Sequence, residues 1–575
     1  MGVLRLFRWL LNNHKDFYLP INKAFRNAPK RRPEMFLVDC NAIFHPCFRE
    51  IMTPKETRLL RSTKPQTEDE EVMVDRAIQL ICLRIKEMIN IVQPSGVVYL
   101  AVDGVAGCAK QTQQRKRRFK SAKERAELGD NGFDYTKLTA GTELMFRICE
   151  AMHIYFENNK SPYYQVIING VDIVGEGEHK LIRAIQAQKK YKSFYIYSPD
   201  ADLIMLSLLL NIQNVTIMRE CIYDDIKADY LLVSIDKLRN RFIGKINDEI
   251  SLAGSEIFVD KYIEQTQSES KTPPPQPTVG FDATNFDENS LVRDVILFLF
   301  IIGNDFLPNT PSVDVAYEGI EILFKIYARV VMMKGYLVKE DLQLSTEALK
   351  YMFLLLSENE PALLVWKYQH SRAKWPDTVL QNNINRDQGH PRLDFQQYRR
   401  DYYQRNFISH LSENEIKEVD LESLVESVCK AYLAGFVFVI KYYVTGIPTY
   451  DWYYQYHYAP LFYDLYQYCL NGKTTEFEFK FRPALSLTES LASVLPPSSF
   501  DLLPTKVAEY MKTRAIIEPE FPTTFEVDLE GKIQDYEAVL LLPMIDYDKV
   551  KRMLRQFKTK DKEGKLIVIS RQPRL

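Results

Sequence analysis

Short apolar runs that end on an acid constrain this chain more than any other feature. Met35-Phe36-Leu37-Val38 runs straight into Asp39, and Tyr99-Leu100-Ala101-Val102 into Asp103. Phe194-Tyr195-Ile196-Tyr197 is followed shortly by Asp200 and Asp202. An apolar run with no alternation suits a strand covered on both faces. Between these runs lie amphipathic segments. Residues 72–92 carry Val72, Ala77, Ile81, Ile85, Met88 and Val92 near the helical period, and Pro94-Ser95-Gly96 stops them. Further strands are expected at 164–168 and 215–218. Strand–helix–strand succession predicts an α/β fold, a parallel sheet with right-handed crossovers and flanking helices. After Asp282 the pattern turns mainly helical and rich in aromatic residues.

That division sets the expected domains. Residues 1–264 form the sheet-bearing core, and 265–280 (QTQSESKTPPPQPTVG) a Pro/Ser-rich linker or loop. Residues 281–380 continue the core in helical form, 381–550 make a second helical, aromatic region, and 551–575 are a basic tail. The 575 residues are 46% hydrophobic, enough for large cores and unlike a disordered chain. No apolar run is long and uninterrupted enough for a membrane span, and the basic, apolar N-terminus has no cleavage-site pattern. Eight dispersed cysteines, without CxxC or a Cys/His cluster, fit free thiols in a reducing intracellular compartment. The near-balance of 74 Lys+Arg against 76 Asp+Glu excludes a generally polybasic binder but says nothing of local charge.

Local charge is where chemistry shows. In open α/β sheets, ligands bind beyond the carboxyl ends of the strands, where Asp39, Asp103, Asp200 and Asp202 fall. Glu176 and Glu178 lie in VGEGEH, a Gly-flanked turn opening a helix, and Asp305 lies in IIGNDFLP after an apolar segment. Any one of these acids alone reads as a helix cap, turn former or dipole partner. Seven sharing a cleft repel one another unless cations neutralise them, and hard divalent ions, Mg²⁺ or Mn²⁺, suit oxygen ligands.

Directly after Asp103, residues 110–125 hold eight Lys/Arg against one acid, Glu124. In a helix, Lys110, Gln114, Arg117 and Arg118 share one face, either to grip a terminal phosphate or as part of a solvated basic surface or localisation signal. Far along the chain, TYDWYYQYHYAP packs seven rings between Tyr450 and Tyr458. Such rings stack nucleobases or pack a core, and most are expected to be structural. His45, six residues after Asp39, either stacks on a base or satisfies a local hydrogen bond.

Taken in order, these motifs resemble the XRN family of 5′-to-3′ exoribonucleases, relatives of the flap endonucleases. The carriers are MGVLRLFRWL, Asp39-Cys40-Asn41-Ala42-Ile43-Phe44-His45, Asp103-Gly104-Val105-Ala106 with Lys110 and Gln113-Gln114-Arg115, and Gly175-Glu176-Gly177-Glu178-His179-Lys180. Asp200-Ala201-Asp202, Gly303-Asn304-Asp305-Phe306-Leu307-Pro308 and Trp452-Tyr453-Tyr454 with Tyr456-His457-Tyr458-Ala459-Pro460 complete the set. The resemblance implies a nuclease core of the flap-endonuclease/PIN-like type. It implies that Asp39, Asp103, Glu176, Glu178, Asp200, Asp202 and Asp305 are catalytic and hold two Mg²⁺ ions, with Mn²⁺ as substitute. By the same resemblance Lys110, Gln114, Arg117 and Arg118 bind a 5′-monophosphate. His45 and Trp452 stack on the first bases, with Tyr450 standing as the alternative to Trp452. The implied reaction is processive digestion of single-stranded RNA from a 5′-monophosphate, releasing nucleoside 5′-monophosphates.

Two departures from the family pattern stand out. Gly107-Cys108 replaces Pro-Arg, which is expected to loosen the turn into the basic helix, and Ser198-Pro199 replaces Gly-Leu before Asp200. The chain is expected to be a compact form ending near the conserved core, nuclear or cytoplasmic, with decapping or termination factors as conceivable partners. A flap-type endonuclease and a non-catalytic RNA-binding scaffold are the competing readings. The flap group lacks the WYYxYHYAP region, and loss of an acid would have favoured the scaffold.

Overall fold

The computed structural model describes residues 5–14, 16–21, 32–52, 69–129, 132–252, 286–386, 390–409 and 420–557. The expected linker at 265–280 and most of the basic tail lie outside them. At the centre is β2 (Met35–Asp39), with every apolar residue buried. Its side chains alternate between two cores: Met35 and Leu37 join one, Phe36 and Val38 the other. The two-residue period of a strand thus feeds both faces, so the sequence shows a continuous apolar run. β3 (Val97–Ala101), β4 (Gln165–Asn169), β5 (Phe194–Tyr197) and β6 (Val215–Glu220) pair in parallel with it in the order β6-β5-β2-β3-β4.

Two further strands were not expected. β7 (Tyr230–Ser234) runs antiparallel to β6, and β1 (Tyr18–Ile21) antiparallel to β7 at the sheet edge. β7 passes without a break into the helix Ile235–Leu252, so its apolar run reads as a helix start. β1 carries Pro20, which only an edge tolerates.

Helices cover both faces. α1 (Leu6–Asn13), α6 (Gly177–Ala187), α7 (Asp202–Leu209) and α8 (Ile235–Leu252) pack on one side, in a core continuous with the helical region from 286 onward. On the other side lie α2 (Asn41–Met52), α3 (Glu70–Val92) and α5 (Glu143–Asn158). α3 begins with Asp69 accepting the Glu71 amide and ends at Gln93, held in the left-handed region just before Pro94. The basic helix, α4 (Cys108–Leu128), leaves the sheet edge and is clasped by the C-terminal part: Cys108 packs with Leu491, Phe500 and Tyr547, and Phe119 with Leu540 and Leu542. The helix Leu421–Thr445 is long and apolar enough to cross a membrane by length and composition. Here it is a core helix, with Val428, Leu433, Val437 and Ile440 fully enclosed.

Chain direction creates the cleft. From β2 the strands progress outward through β3 to β4, then the chain returns to the other side of β2 for β5 and β6. The order reverses between β2 and β5, so their following loops diverge and leave a crevice at the carboxyl ends.

Candidate active site

Four of the seven acids are placed by the sheet and the helices opening beside it. Asp39 ends β2, and its Oδ2 accepts the Ser198 hydroxyl at 3.2 Å. The same Ser198 Oγ accepts the Asp200 amide at 3.1 Å, so a residue that departs from the family pattern joins the ends of β2 and β5. Asp103 is anchored twice. Its amide donates to Asn41 Oδ1 (2.9 Å), and its Oδ1 accepts the Gly177 amide (2.6 Å) at the start of α6. A Cβ on Gly177 would stand 3.1 Å from Asp103 Oδ1 and 3.3 Å from Asp39 Oδ1, so the glycine permits this approach. Asp202 opens α7, its amide donating to Asp200 Oδ1 at 3.3 Å.

The remaining acids arrive by other routes. Glu176 and Glu178 flank the first residue of α6, both buried. Asp305 sits on a turn set by Gly303, at φ +100°, and by Asn304, whose Oδ1 accepts the amides of Phe306 (2.8 Å) and Leu307 (3.0 Å). A Cβ at Gly303 would meet the Asn309 amide nitrogen at 2.9 Å, so both conformation and space demand glycine.

Lys110 is the centre of charge balance. Its ammonium lies 2.8 Å from Asp305, 3.0 Å from Glu176 and 3.7 Å from Glu178, and the residue is only 9% exposed. Sequence reasoning grouped Lys110 with the phosphate-binding face; the structure sets it among the carboxylates. One ammonium does not neutralise seven acids. Burial, then Asp103 and Asp200, push the Asp39 carboxyl up to about 7. Burial, then Asp200 and Asp305, do the same to Asp202, again to about 7. Glu178 is raised by burial with Lys110 opposing and Asp202 adding. Burial would raise Asp305 too, but Lys110 and Arg117, among the charges around it, together hold that carboxyl low.

This donor set fits a hard divalent cation. Glu178, Asp200 and Asp202 bring carboxylate oxygens within 4.8 Å of one another. Asp202 Oδ1 is buried without a hydrogen-bond partner among the described residues. An all-oxygen cluster with an unsatisfied acceptor and acids pushed toward neutrality is able to hold such an ion.

The predicted phosphate-binding residues do lie on one helix. Gly107-Cys108 does not loosen its start: the Cys108 amide donates to the Tyr450 carbonyl at 2.8 Å, and Gly107 lies so close to Ile447 that a Cβ would meet its Cδ1 at 2.4 Å. Arg118 donates to Thr139 Oγ1 (2.7 Å) and to the Gln114 carbonyl (2.9 Å), while Arg117 is exposed. His45 is exposed beside Tyr135, the ring centroids 6.4 Å apart and stacked. Crowding by surrounding protein, then the charges of Arg118, Arg49 and Arg117, lower its pKa to about 4, so the ring is neutral.

The aromatic segment divides. Trp452 stacks on Phe438 at 4.2 Å with Phe479 at its edge, and Phe438 leads on to Tyr442. Tyr450 instead lies against Arg183 and within electrostatic reach of Glu176. Tyr442 itself was missed: its hydroxyl donates to Glu176 Oε1, and its ring meets His179 edge-on at 4.1 Å. Within FVFVIKYYV nothing distinguishes it from core packing. Asn41, two residues after Asp39 at a helix start, did carry a readable signal.

Comparison with known proteins follows the same lines. The family model described as "XRN 5′-3′ exonuclease N-terminus" matches residues 1–221, and that described as "Xrn1 helical domain" matches 285–390 and 369–565. Among curated relatives, 5′-3′ exoribonuclease 1 of Homo sapiens is 25% identical over 642 residues, covering 97% of this chain and 34% of its own length. The 5′-3′ exoribonuclease 2 homolog of Drosophila melanogaster is 24% identical, covering 95% and 70% respectively. For 5′-3′ exoribonuclease 1 of Schizosaccharomyces pombe the figures are 25%, 98% and 49%. The chain therefore spans from about a third to about 70% of the length of these relatives. With its sheet core and its helical region matched in order by the two models, the chain belongs to the XRN family.

Proposed function

We propose that this protein is a 5′-to-3′ exoribonuclease that degrades single-stranded RNA from a 5′-monophosphate, one nucleoside 5′-monophosphate at a time. The observation that carries the reading is the carboxylate cluster Glu178, Asp200 and Asp202 at the switch point of the sheet, beside the basic helix α4, with Glu176 and Asp305 joined to Glu178 through Lys110 and with Asp39 and Asp103 meeting at Gly177. The relatives' names, each a 5′-3′ exoribonuclease, support it. Asp39, Asp103, Glu176, Glu178, Asp200, Asp202 and Asp305 would hold two Mg²⁺ ions, or Mn²⁺ in their place. Bound there, such ions stabilise the attacking and leaving oxygens of an in-line displacement at phosphorus.

The chain's own residues fix the geometry. Ser198 and the Gly177 amide orient Asp39 and Asp103, so two carboxylates from adjacent strands face one point. Tyr442 and Lys110 orient Glu176 from opposite oxygens. Gln114, Arg117 and Arg118 offer amide and guanidinium donors suited to a terminal phosphate, and the neutral ring of His45 beside them offers a stacking face. Eight unpaired cysteines support a reducing intracellular compartment, nuclear or cytoplasmic.

The test is digestion of end-matched RNAs bearing 5′-monophosphate, 5′-hydroxyl or cap, with and without Mg²⁺. Mononucleotides released only from the monophosphate with Mg²⁺ present are the expected result. Internal cuts at strand junctions would make it a flap-type endonuclease, and binding without cleavage a scaffold.

A further inference from the structure

We propose that Arg219 forms a phosphate subsite for the RNA backbone beside Asp200, separate from the Gln114/Arg118 face of α4. The inference rests on the exoribonuclease reading and adds a strand contact to it. Arg219 lies next to last in β6, at the carboxyl end of a parallel strand, where ligands of such sheets bind. It is 7% exposed, and its Nε and Nη1 are buried without a hydrogen-bond partner among the described residues. The guanidinium carbon sits 3.5 Å from the ring centre of Phe7, so α1 fixes its plane.

A planar cation taken out of water with two donors unused is unfavourable until an anion meets it, and the guanidinium fork matches phosphate oxygens. Its surroundings identify the anion. Arg219 lines a cavity of about 390 Å³ together with Arg5, Arg8, Arg117 and Asp200. Arg5 is paired with Glu537, and Arg8 with Asp225 at 3.0 Å, while Arg117 is exposed and within electrostatic reach of Asp305. Four arginines thus border a cavity whose lining acid, Asp200, belongs to the proposed metal cluster. A strand whose scissile phosphate reaches Asp200 brings a neighbouring phosphodiester within the same cavity. Stacking on Phe7 suits Arg219 to that role, since a rigid planar donor loses little freedom on binding.

The experiment measures binding of a 5′-hydroxyl single-stranded RNA in EDTA across a salt series, which removes both the terminal phosphate and turnover from the readout. Loss of one phosphate contact lowers the slope of log K against log salt by about 0.7 for single strands. Arg219→Met is expected to show that loss with about tenfold weaker binding at low salt. Arg219→Lys, which keeps the charge, should keep the wild-type slope at reduced affinity. Arg147→Met, removing a surface cation paired with Glu71 and Asp75, should behave as wild type. A wild-type slope and affinity in Arg219→Met, or equal losses in Arg147→Met, would overturn the subsite. If the wild type digests 5′-monophosphate RNA while Arg219→Met keeps its slope, the subsite alone falls. A wild type that neither binds nor digests RNA removes the exoribonuclease reading itself.

Discussion

Replacing Asp202 by Asn is expected to abolish cleavage while making the metal-free protein more stable. Asp202 is 1% exposed, one of its oxygens has no hydrogen-bond partner among the described residues, and Asp200 and Asp305 repel its charge. Its carboxyl is raised from 3.8 to about 7. At ~1.4 kcal/mol for each pH unit of that rise the ionised group costs the fold up to ~4 kcal/mol, and sharing the strain with Glu178, which Asp202 also pushes up, leaves about 2 kcal/mol to Asp202 alone. The sign follows from proton binding. The folded acid holds its proton to higher pH than the unfolded one, so the cost is complete above pH about 7 and fades as pH falls toward 4. Asn keeps the shape without the charge. Thermal unfolding in EDTA at pH 8 should therefore place the variant's sheet-core transition higher by about 4 °C or more, with the gain shrinking by pH 5. Added Mg²⁺ should stabilise the wild type and stabilise the variant less. A variant that is equal or less stable in EDTA at pH 8, or that retains turnover, would refute the charge-repulsion argument.

Three further perturbations probe other parts of the molecule. Lys110→Met strips Glu176, Glu178 and Asp305 of their shared ammonium; the metal-free protein should lose about 3 kcal/mol in urea unfolding, with much of it restored by Mg²⁺. Gly435→Ala drives a methyl to 2.5 Å from Leu307 Cδ2, on the turn that carries Asp305. It should lower kcat about tenfold through misplacement of that acid while KM barely moves. Glu360 is fully buried in the helical region and accepts the amides of Phe462 (3.1 Å) and Tyr463 (2.9 Å), yet burial raises it to about 7. Its protonated form favours the fold below pH about 4.5, and that contribution is lost as pH rises through 7. Urea midpoints at pH 5 and 8 should fall with pH in the wild type and flatten in Glu360→Gln.

The sheet core was legible because each parallel strand is buried on both faces, and that condition writes itself as an unbroken apolar run closed by the residue at the ligand-binding end. Asp39 and Asp103 could be placed from four residues of context each. β7 could not, since Tyr230-Leu231-Leu232-Val233 carries the same composition but runs into α8 with only Ser234 between them, which caps the helix through the Lys237 amide. The expected loosening at Gly107-Cys108 failed for a different reason. A glycine judged by its own chain neighbours reads as free, whereas here Ile447 and the Tyr450 carbonyl, more than 300 residues later, hold Gly107-Cys108 in place.

The same distinction separates the acids from the groups that set their charge. Each proposed ligand is positioned by its own strand end, turn or helix start, so a local pattern encodes it. Lys110 reads locally as one cation in a run of eight, and only the fold aims it across 195 residues at Asp305 and away from the other cations of α4. Tyr442 and Glu176 are 266 residues apart, and Ser198 meets Asp39 across 159. An almost neutral total of −2 therefore coexists with an acidic cleft and a basic wall. The cleft's acidity is in turn limited by one lysine drawn out of that wall, which is why Lys110→Met and Asp202→Asn should move metal-free stability in opposite directions.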